Sequence, residues 1–291
     1  MAAENFVVGK ALEDEPEVKQ PRYSGIIPAV NFRWILSGPS KSGKSNLARW
    51  CLDRYYRLRP NKSWFDEIYL LSPTANIDYI WSNMPPQLKA KNRITDPSPA
   101  ILLKILNSQK RDIMGSTSDS AAQSMSATRL AKKKQSAKRV LIIFDDAIAE
   151  SSMINSKEFL KIFVAGRHYG ISSMVMTQSY VKVPRSVRLQ ATHLCMFPSR
   201  SSELLRLYEE HGPKELTKNE FIELVQFATK ATDEDPYPFL YVDAFAPPSR
   251  RFRRGFTDQL EIHEDGTATN DVTDDSLREP RKRKAKRRRN G

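Results

Sequence analysis

Eight consecutive residues have the types and spacing to cradle a phosphate. Gly38-Pro39-Ser40-Lys41-Ser42-Gly43-Lys44-Ser45 meets every fixed position of the Walker A pattern. Glycines let the backbone curl so that several N–H groups converge on one phosphate, and a helix starting there adds its positive end. Lys44 would reach the β- and γ-phosphates of ATP, and the Ser45 hydroxyl would coordinate Mg²⁺. A second constellation lies about a hundred residues on, where the unbroken apolar run 140–144 delivers Asp145-Asp146 at its end. A buried strand carrying a carboxylate at its C-terminal end is the Walker B arrangement, because ligands of open α/β sheets bind at those strand ends. Asp145 would hold Mg²⁺, and Asp146 would orient or deprotonate the attacking water. Gln178, at the tip of the next expected strand, 171–177, can bond both the γ-phosphate and that water. The plain alternatives are a chance glycine-serine turn, an acidic pair opening a turn and a polar strand end. The three features in one chain argue against them together.

Such residues need a scaffold. Phe32, Trp34, Ile35 and Leu36 read as a strand stopped by Ser37-Gly38-Pro39, and Leu47, Trp50, Cys51 and Tyr55 recur at helical spacing after it. Further strands are expected at 67–71, 140–144, 171–177, 193–197 and 238–245. Helices are expected at 156–169, 201–210 and 218–230, the first capped by Asn155 with Glu158 three residues on. An unbroken apolar run such as 140–144 suits a strand buried on both faces of a parallel sheet. Strands alternating with helices predict an α/β fold with a mainly parallel central sheet flanked by helices.

The 291 residues allow one large domain with tails. Residues 1–24 read as a flexible lead and 25–255 as the folded domain. The stretch 107–139, rich in Ser, Ala, Lys and Arg, reads as a polar basic insert ending in Arg129, Lys132, Lys133, Lys134, Lys138 and Arg139. Residues 256–291 read as a disordered tail. The formal net charge is +13, of which 278–289, with nine basic residues and one acid, supplies +8. That run predicts a polyanionic partner through salt-sensitive phosphate contacts, a nuclear address, or simple solubility. Arg250, Arg251, Arg253 and Arg254 form a second cluster, a candidate contact to DNA or a neighbouring subunit. Cys51 and Cys195 show no metal spacing and read as core filler in a reducing compartment. The acidic start lacks the features of a signal peptide, and no apolar run is long enough to span a membrane.

Four stretches then stand in order: 38–45, Ile143-Phe144-Asp145-Asp146, Gly166-Arg167-His168-Tyr169-Gly170-Ile171 and Thr177-Gln178, followed by Pro184 and Arg188. This order resembles the FtsK–HerA superfamily of DNA-pumping ATPases. More narrowly, it resembles the genome-packaging ATPases of poxviruses, giant DNA viruses, virophages and Polinton-like elements, over roughly residues 25–250. The resemblance implies a RecA-like P-loop NTPase core with an additional strand between the Walker A and Walker B strands. It implies ATP-driven translocation of double-stranded DNA into a viral capsid by a homo-oligomeric ring of about five or six subunits. A capsid or portal-vertex protein would be a partner, and the setting would be assembly sites or the virion in an infected host. Arg167 and Arg188 are the two candidates for a trans-acting arginine finger, each with an ordinary salt bridge as its alternative. Asp145-Asp146 departs from the Asp-Glu of cellular members and is closer to the viral branch.

Other functions share parts of this pattern. A helicase or plasmid-type transfer motor would use the same core and displace a strand on a forked substrate. A small-molecule nucleotide kinase would hydrolyse ATP without regard to DNA. A non-enzymatic capsid or DNA-binding protein would not need intact Lys44, Ser45 and Asp145.

Overall fold

The computed structural model describes residues 21, 26–59, 62–82, 86–114, 137–146, 151–262 and 268–271. The lead (save residue 21), most of the insert, and the basic run 278–289 lie outside the described residues. At the centre is a ten-stranded sheet. Its parallel part runs, in spatial order, β5 (Arg93–Ile94), β4 (Glu67–Leu71), β6 (Val140–Asp145), β7 (Ile171–Thr177), β1 (Arg33–Ser37) and β8 (His193–Met196). An antiparallel meander continues it: β9 (Leu240–Asp243), β10 (Phe252–Arg254), β11 (Asp258–Ile262) and β12 (Ala268–Asp271). The two-stranded ribbon β2 (Arg57–Arg59) and β3 (Lys62–Ser63) stands apart. The expected additional strand is present: β7 pairs with β1 on one side and with β6 on the other.

Both faces of the central strands are apolar, and alternation sends neighbours to different cores. Ile35, Ile142, Phe144 and Val175 join one cluster with α2 (Pro99–Met114), α4 (Lys157–Ala165), α6 (Ser201–His211) and α7 (Lys218–Ala228). Trp34, Leu36, Ile143 and Met176 join the other, which is covered by α1 (Lys44–Arg54) and by Tyr56, Trp64, Phe65 and Trp81. Cys51 and Cys195 sit buried as free cysteines in that second core. Among the described residues there are also three short α-helices: α3 (Ser151–Ile154), α5 (Arg185–Arg188) and α8 (Pro248–Arg251). Among the described residues, no helix is long and apolar enough to cross a membrane.

Several expectations change. The polar stretch from 107 begins inside α2, which runs to Met114 and buries Leu102, Ile105, Leu106 and Ile113. Gln109 is buried there too, because its amide donates to the carbonyls of Lys138 (2.7 Å) and Tyr169 (2.8 Å). The cap of α4 is Ser156, not Asn155: the Ser156 hydroxyl accepts from the Phe159 N–H at 3.0 Å. Chain beyond Arg254, expected as tail, contributes β11 and β12 to the sheet edge. Lys138 and Arg139, read as the end of a basic cluster, anchor the start of β4 instead. Lys138 pairs with Glu67 at 3.2 Å. Arg139 grips both oxygens of Asp66 and lies over the Trp64 ring.

Candidate functional site

The carboxyl ends of β1, β7 and β6 are stapled to one another. The Gly38 N–H donates to the Thr177 carbonyl at 3.1 Å, and the Asp146 N–H donates to that of Met176 at 3.2 Å. Residues 38–45 therefore leave β1 beside the tip that carries Gln178 and one strand from the tip that carries the two aspartates. Gly38 is dictated by packing, since a Cβ there would lie 2.5 Å from the Phe197 Cβ. Gly43 takes φ 97 and forms the left-handed entry to α1, where a side chain would be strained. Helix α1 thus begins with its N–H groups facing the loop, an anion site by geometry.

Lys44 is buried, with its ammonium donating to the carbonyls of Gly38 (2.8 Å) and Pro39 (2.7 Å). Burial lowers its pKa, and the charges of Asp146 and Asp145 oppose that shift. The Ser45 hydroxyl faces the Asp145 carboxylate at 3.4 and 3.5 Å. Two hard oxygen donors this close suit Mg²⁺, which takes one or two protein ligands and completes its octahedron with water and phosphate oxygens. Among the described residues, no group of three or more His, Cys, Asp or Glu could hold a metal. The donor set therefore fits a nucleotide-bound Mg²⁺ and not a closed protein cage.

Asp145 has a further partner that spacing did not reveal. The Trp81 indole N–H donates to Asp145 Oδ2 at 2.8 Å, and Trp81 is wholly buried. Its loop is tied to α1, because the Arg49 guanidinium donates to the Ile80 carbonyl at 3.0 Å. Trp81 therefore orients the carboxylate while α1 orients Trp81. The only sequence hint is a large aromatic in the short mixed segment Ile77-Asp78-Tyr79-Ile80-Trp81. Burial pushes the Asp145 carboxyl up to about 6; the Trp81 and Ser45 hydrogen bonds pull it down, and Asp146 and Asp78 push it up. A carboxyl whose folded value is raised supports the fold most below its unfolded value near 3.8 and loses that support as pH climbs through about 6. Asp145→Asn is thus expected to stabilise the nucleotide-free protein at pH 7.5 by up to about 3 kcal/mol. The gain should vanish near pH 4 in paired thermal melts. An unchanged Tm at pH 7.5 would show that Asp145 is ionised there without cost.

Asp146 is exposed and adopts φ 50, a left-handed conformation that Asp and Asn tolerate. The Gln178 amide donates to its Oδ2 at 3.1 Å. The segment after Gln178 is clamped to α6: Glu203 accepts from the Ser179 hydroxyl (2.7 Å) and the Val181 N–H (3.1 Å), and Glu210 accepts from the Tyr180 hydroxyl (2.7 Å). The carboxylate that would face water and the amide that would sense phosphate are thus held together by a fixed loop.

The two arginines part company. Arg188 is buried against Glu210, with Nη2–Oε1 at 2.6 Å and Nε–Oε2 at 2.8 Å, donates to the Val183 carbonyl, and lies over the Tyr180 ring. Its fork is engaged inside its own subunit, which supports the ordinary salt-bridge alternative to the finger role. Arg167 is exposed, and its Nε contacts His168 Nε2 at 3.2 Å. It precedes β7 and so lies at the edge of the sheet opposite the Walker A loop, a strand of seven residues away, roughly 20 Å. The second basic cluster also turns inward. Arg253 lies over Tyr241 and donates to the Phe256 carbonyl (3.1 Å), and Arg254 donates to that of Lys230 (3.0 Å) and pairs with Asp235 (3.5 Å). Arg250 is exposed.

A parallel sheet with a Walker A loop at β1, a paired Ser45 and Asp145, and an intervening β7 tipped by glutamine defines a P-loop NTPase. The chain belongs to the Poxvirus A32 protein family, whose model matches residues 26–245. No curated protein matches it in sequence. Among solved structures it is similar to the genome packaging NTPase B204 from Sulfolobus turreted icosahedral virus 2 in complex with AMPPCP, at 16% identity over 77% of this chain and 96% of that one, TM-score 0.47. It is likewise similar to B204, the DNA-packaging ATPase from Sulfolobus Turreted Icosahedral Virus, at 16% identity over 77% and 97%, TM-score 0.47. The cytoplasmic domain of the Thermomonospora curvata Type VII secretion ATPase EccC matches at 10% identity over 76% of this chain and 23% of that one, TM-score 0.43.

Proposed function

We propose that this chain hydrolyses ATP at residues 38–45 and uses the cycle to drive double-stranded DNA into a viral capsid. The observation that carries the reading is the approach of Ser45 and Asp145 to 3.4 Å beside the Gln178–Asp146 pair, in a chain of the poxvirus A32 family. Lys44 and the N–H groups of the loop hold the phosphates, and Ser45 and Asp145 hold Mg²⁺. Bound there, Mg²⁺ neutralises phosphate charge and screens the attack. Asp146 accepts a proton from the attacking water, and Gln178 aligns that water and reports the state of the γ-phosphate to the loop clamped on α6. The motor works as a ring of about five or six subunits. Arg167, out of reach of its own site, serves that of a neighbour. A capsid or portal-vertex protein docks the ring in the infected cell, at assembly sites, and the run 278–289 adds salt-sensitive grip on DNA or a nuclear address.

The test is ATP hydrolysis with and without double-stranded DNA at two salt concentrations, with Lys44→Ala as control. DNA should raise the rate, salt should weaken the stimulation, and Lys44→Ala should abolish hydrolysis altogether. A rate indifferent to DNA would refute a free-standing motor and turn attention to a capsid-dependent one or a nucleotide kinase. Unwinding of a forked duplex would point to a helicase.

A further inference from the structure

The Walker A loop has two flanks, and the strand-tip carboxylates Asp145 and Asp146 lie on one; the segment before β9 on the other carries Asp233, Glu234 and Asp235, of which Asp235 pairs with Arg254 at 3.5 Å. In the sheet, β7 and β6 lie on one side of β1, and β8 and β9 lie on the other. Asp145, Asp146 and Gln178 ride the tips on the first side. On the second side the same edge is built by residues that follow β8 and precede β9, because β9 is antiparallel and opens where β8 closes, Leu240 facing Met196. A cleft of about 250 Å³ lies there against residues 39–42 of the loop. Its far wall is Pro198, Ala231, Pro236, Tyr237 and Pro238.

Tyr237 is 60% exposed, yet its ring atoms stand only 3.5–3.6 Å from where a Cβ on Gly43 would be. An aromatic ring left in water directly beside a phosphate loop, between two prolines, offers a flat apolar face next to a charged cradle. A complete small-molecule pocket measures about 300–1,000 Å³, so this cleft suits one end of a ligand whose other end lies elsewhere. The orientation of that ligand is constrained. A triphosphate on the loop must turn its terminal phosphate toward Asp146, so its nucleoside end leaves on the β8–β9 flank.

We propose that this cleft binds the purine base of the nucleoside triphosphate, with Tyr237 as its stacking partner. The inference rests on the phosphate-binding reading of residues 38–45 and adds the half of the substrate that reading leaves unplaced. The wall opposite the loop offers side chains of proline, alanine and tyrosine and few hydrogen-bonding groups. Stacking tolerates any base, so adenine and guanine nucleotides should bind within a few-fold of each other.

The experiment compares ATP with inorganic tripolyphosphate, which has the phosphates and no base. Dissociation constants are measured by calorimetry for the full chain with Mg²⁺, as wild type, Tyr237→Ala, Tyr237→Phe and Lys44→Ala. Tyr237→Ala should weaken ATP roughly ten- to a hundredfold and leave tripolyphosphate unchanged, while Tyr237→Phe keeps ATP near wild type. Equal loss for both ligands, or no loss for either, would overturn the base site. So would a strong preference for ATP over GTP in the wild type, since stacking alone does not provide one. Lys44→Ala tests the layer beneath: it should weaken both ligands, and unchanged tripolyphosphate binding there would refute the phosphate cradle itself. Thermal melts check that Tyr237→Ala, a change at an exposed ring, leaves the fold intact.

Discussion

Asp146→Asn will cut ATP hydrolysis by roughly a hundredfold or more while leaving nucleotide binding and thermal stability near wild type. The expected size is that of removing a general base, about 10²–10⁴ in rate. The expected selectivity comes from the backbone. Asp146 sits at φ 50, where most side chains cost about 1–2 kcal/mol but Asn, like Asp, is tolerated. Asparagine also keeps an oxygen for the Gln178 amide, which now bonds Oδ2 at 3.1 Å. The variant therefore subtracts proton affinity and little else. The same geometry gives a physical reason for the doubled aspartate: glutamate would meet the left-handed turn without a short side chain's local hydrogen bonding. Single-turnover hydrolysis beside calorimetric binding is the measurement, and undiminished hydrolysis in Asp146→Asn would remove this residue from the chemistry.

Arg188→Ala will lower stability by about 3–5 kcal/mol, the cost of leaving a buried charge without its partner. For a domain of this size that is a fall in Tm of about 10 °C or more. Both side chains of the pair are nearly inaccessible, 5% for Arg188 and 2% for Glu210. Burial works to raise the Glu210 carboxyl, but the hydrogen bonds from Arg188 and Tyr180 outweigh it and hold the value below the usual range. In the wild type that contribution is present above the ordinary carboxylate range and lost as pH falls through the lowered value. Without Arg188, burial governs Glu210, and protonation relieves it. The deficit of Arg188→Ala should therefore shrink as pH falls from 7.5 toward 5, and Arg188→Met/Glu210→Gln should recover part of it at neutral pH. Chemical denaturation across pH checks both. A finger would behave otherwise, losing kcat with stability intact, and that result would restore Arg188 to the chemistry.

The amino-acid sequence alone carries the phosphate cradle and the strand-borne carboxylates, because both are contiguous and local in their physics. Gly38 through Ser45 form one loop, and the run 140–144 has no polar break and can only be buried on both faces. Gln178 is legible for the same reason, as the first polar residue after a buried strand. That β7 lies between β1 and β6 came from family resemblance, and strand pairing alone establishes it. Helix α2 was half hidden, since its later residues are polar; Gln109 is buried because two carbonyls from segments 29 and 60 residues away wait for its amide.

The remaining features depend on contacts between distant positions, which no local pattern encodes. Trp81 meets Asp145 across 64 residues, and Arg188 meets Glu210 across 22. Tyr237 meets Gly43 only because β9 reverses at the edge where the Walker A loop emerges. An arginine in a sequence is a charge with a reach of several ångströms, and its neighbours decide whether it serves a phosphate or a buried glutamate. Those neighbours are assembled by the sheet order and by the packing of α6 against it, so the identity of the chemical groups is written in the chain while their assignment to roles follows from the fold.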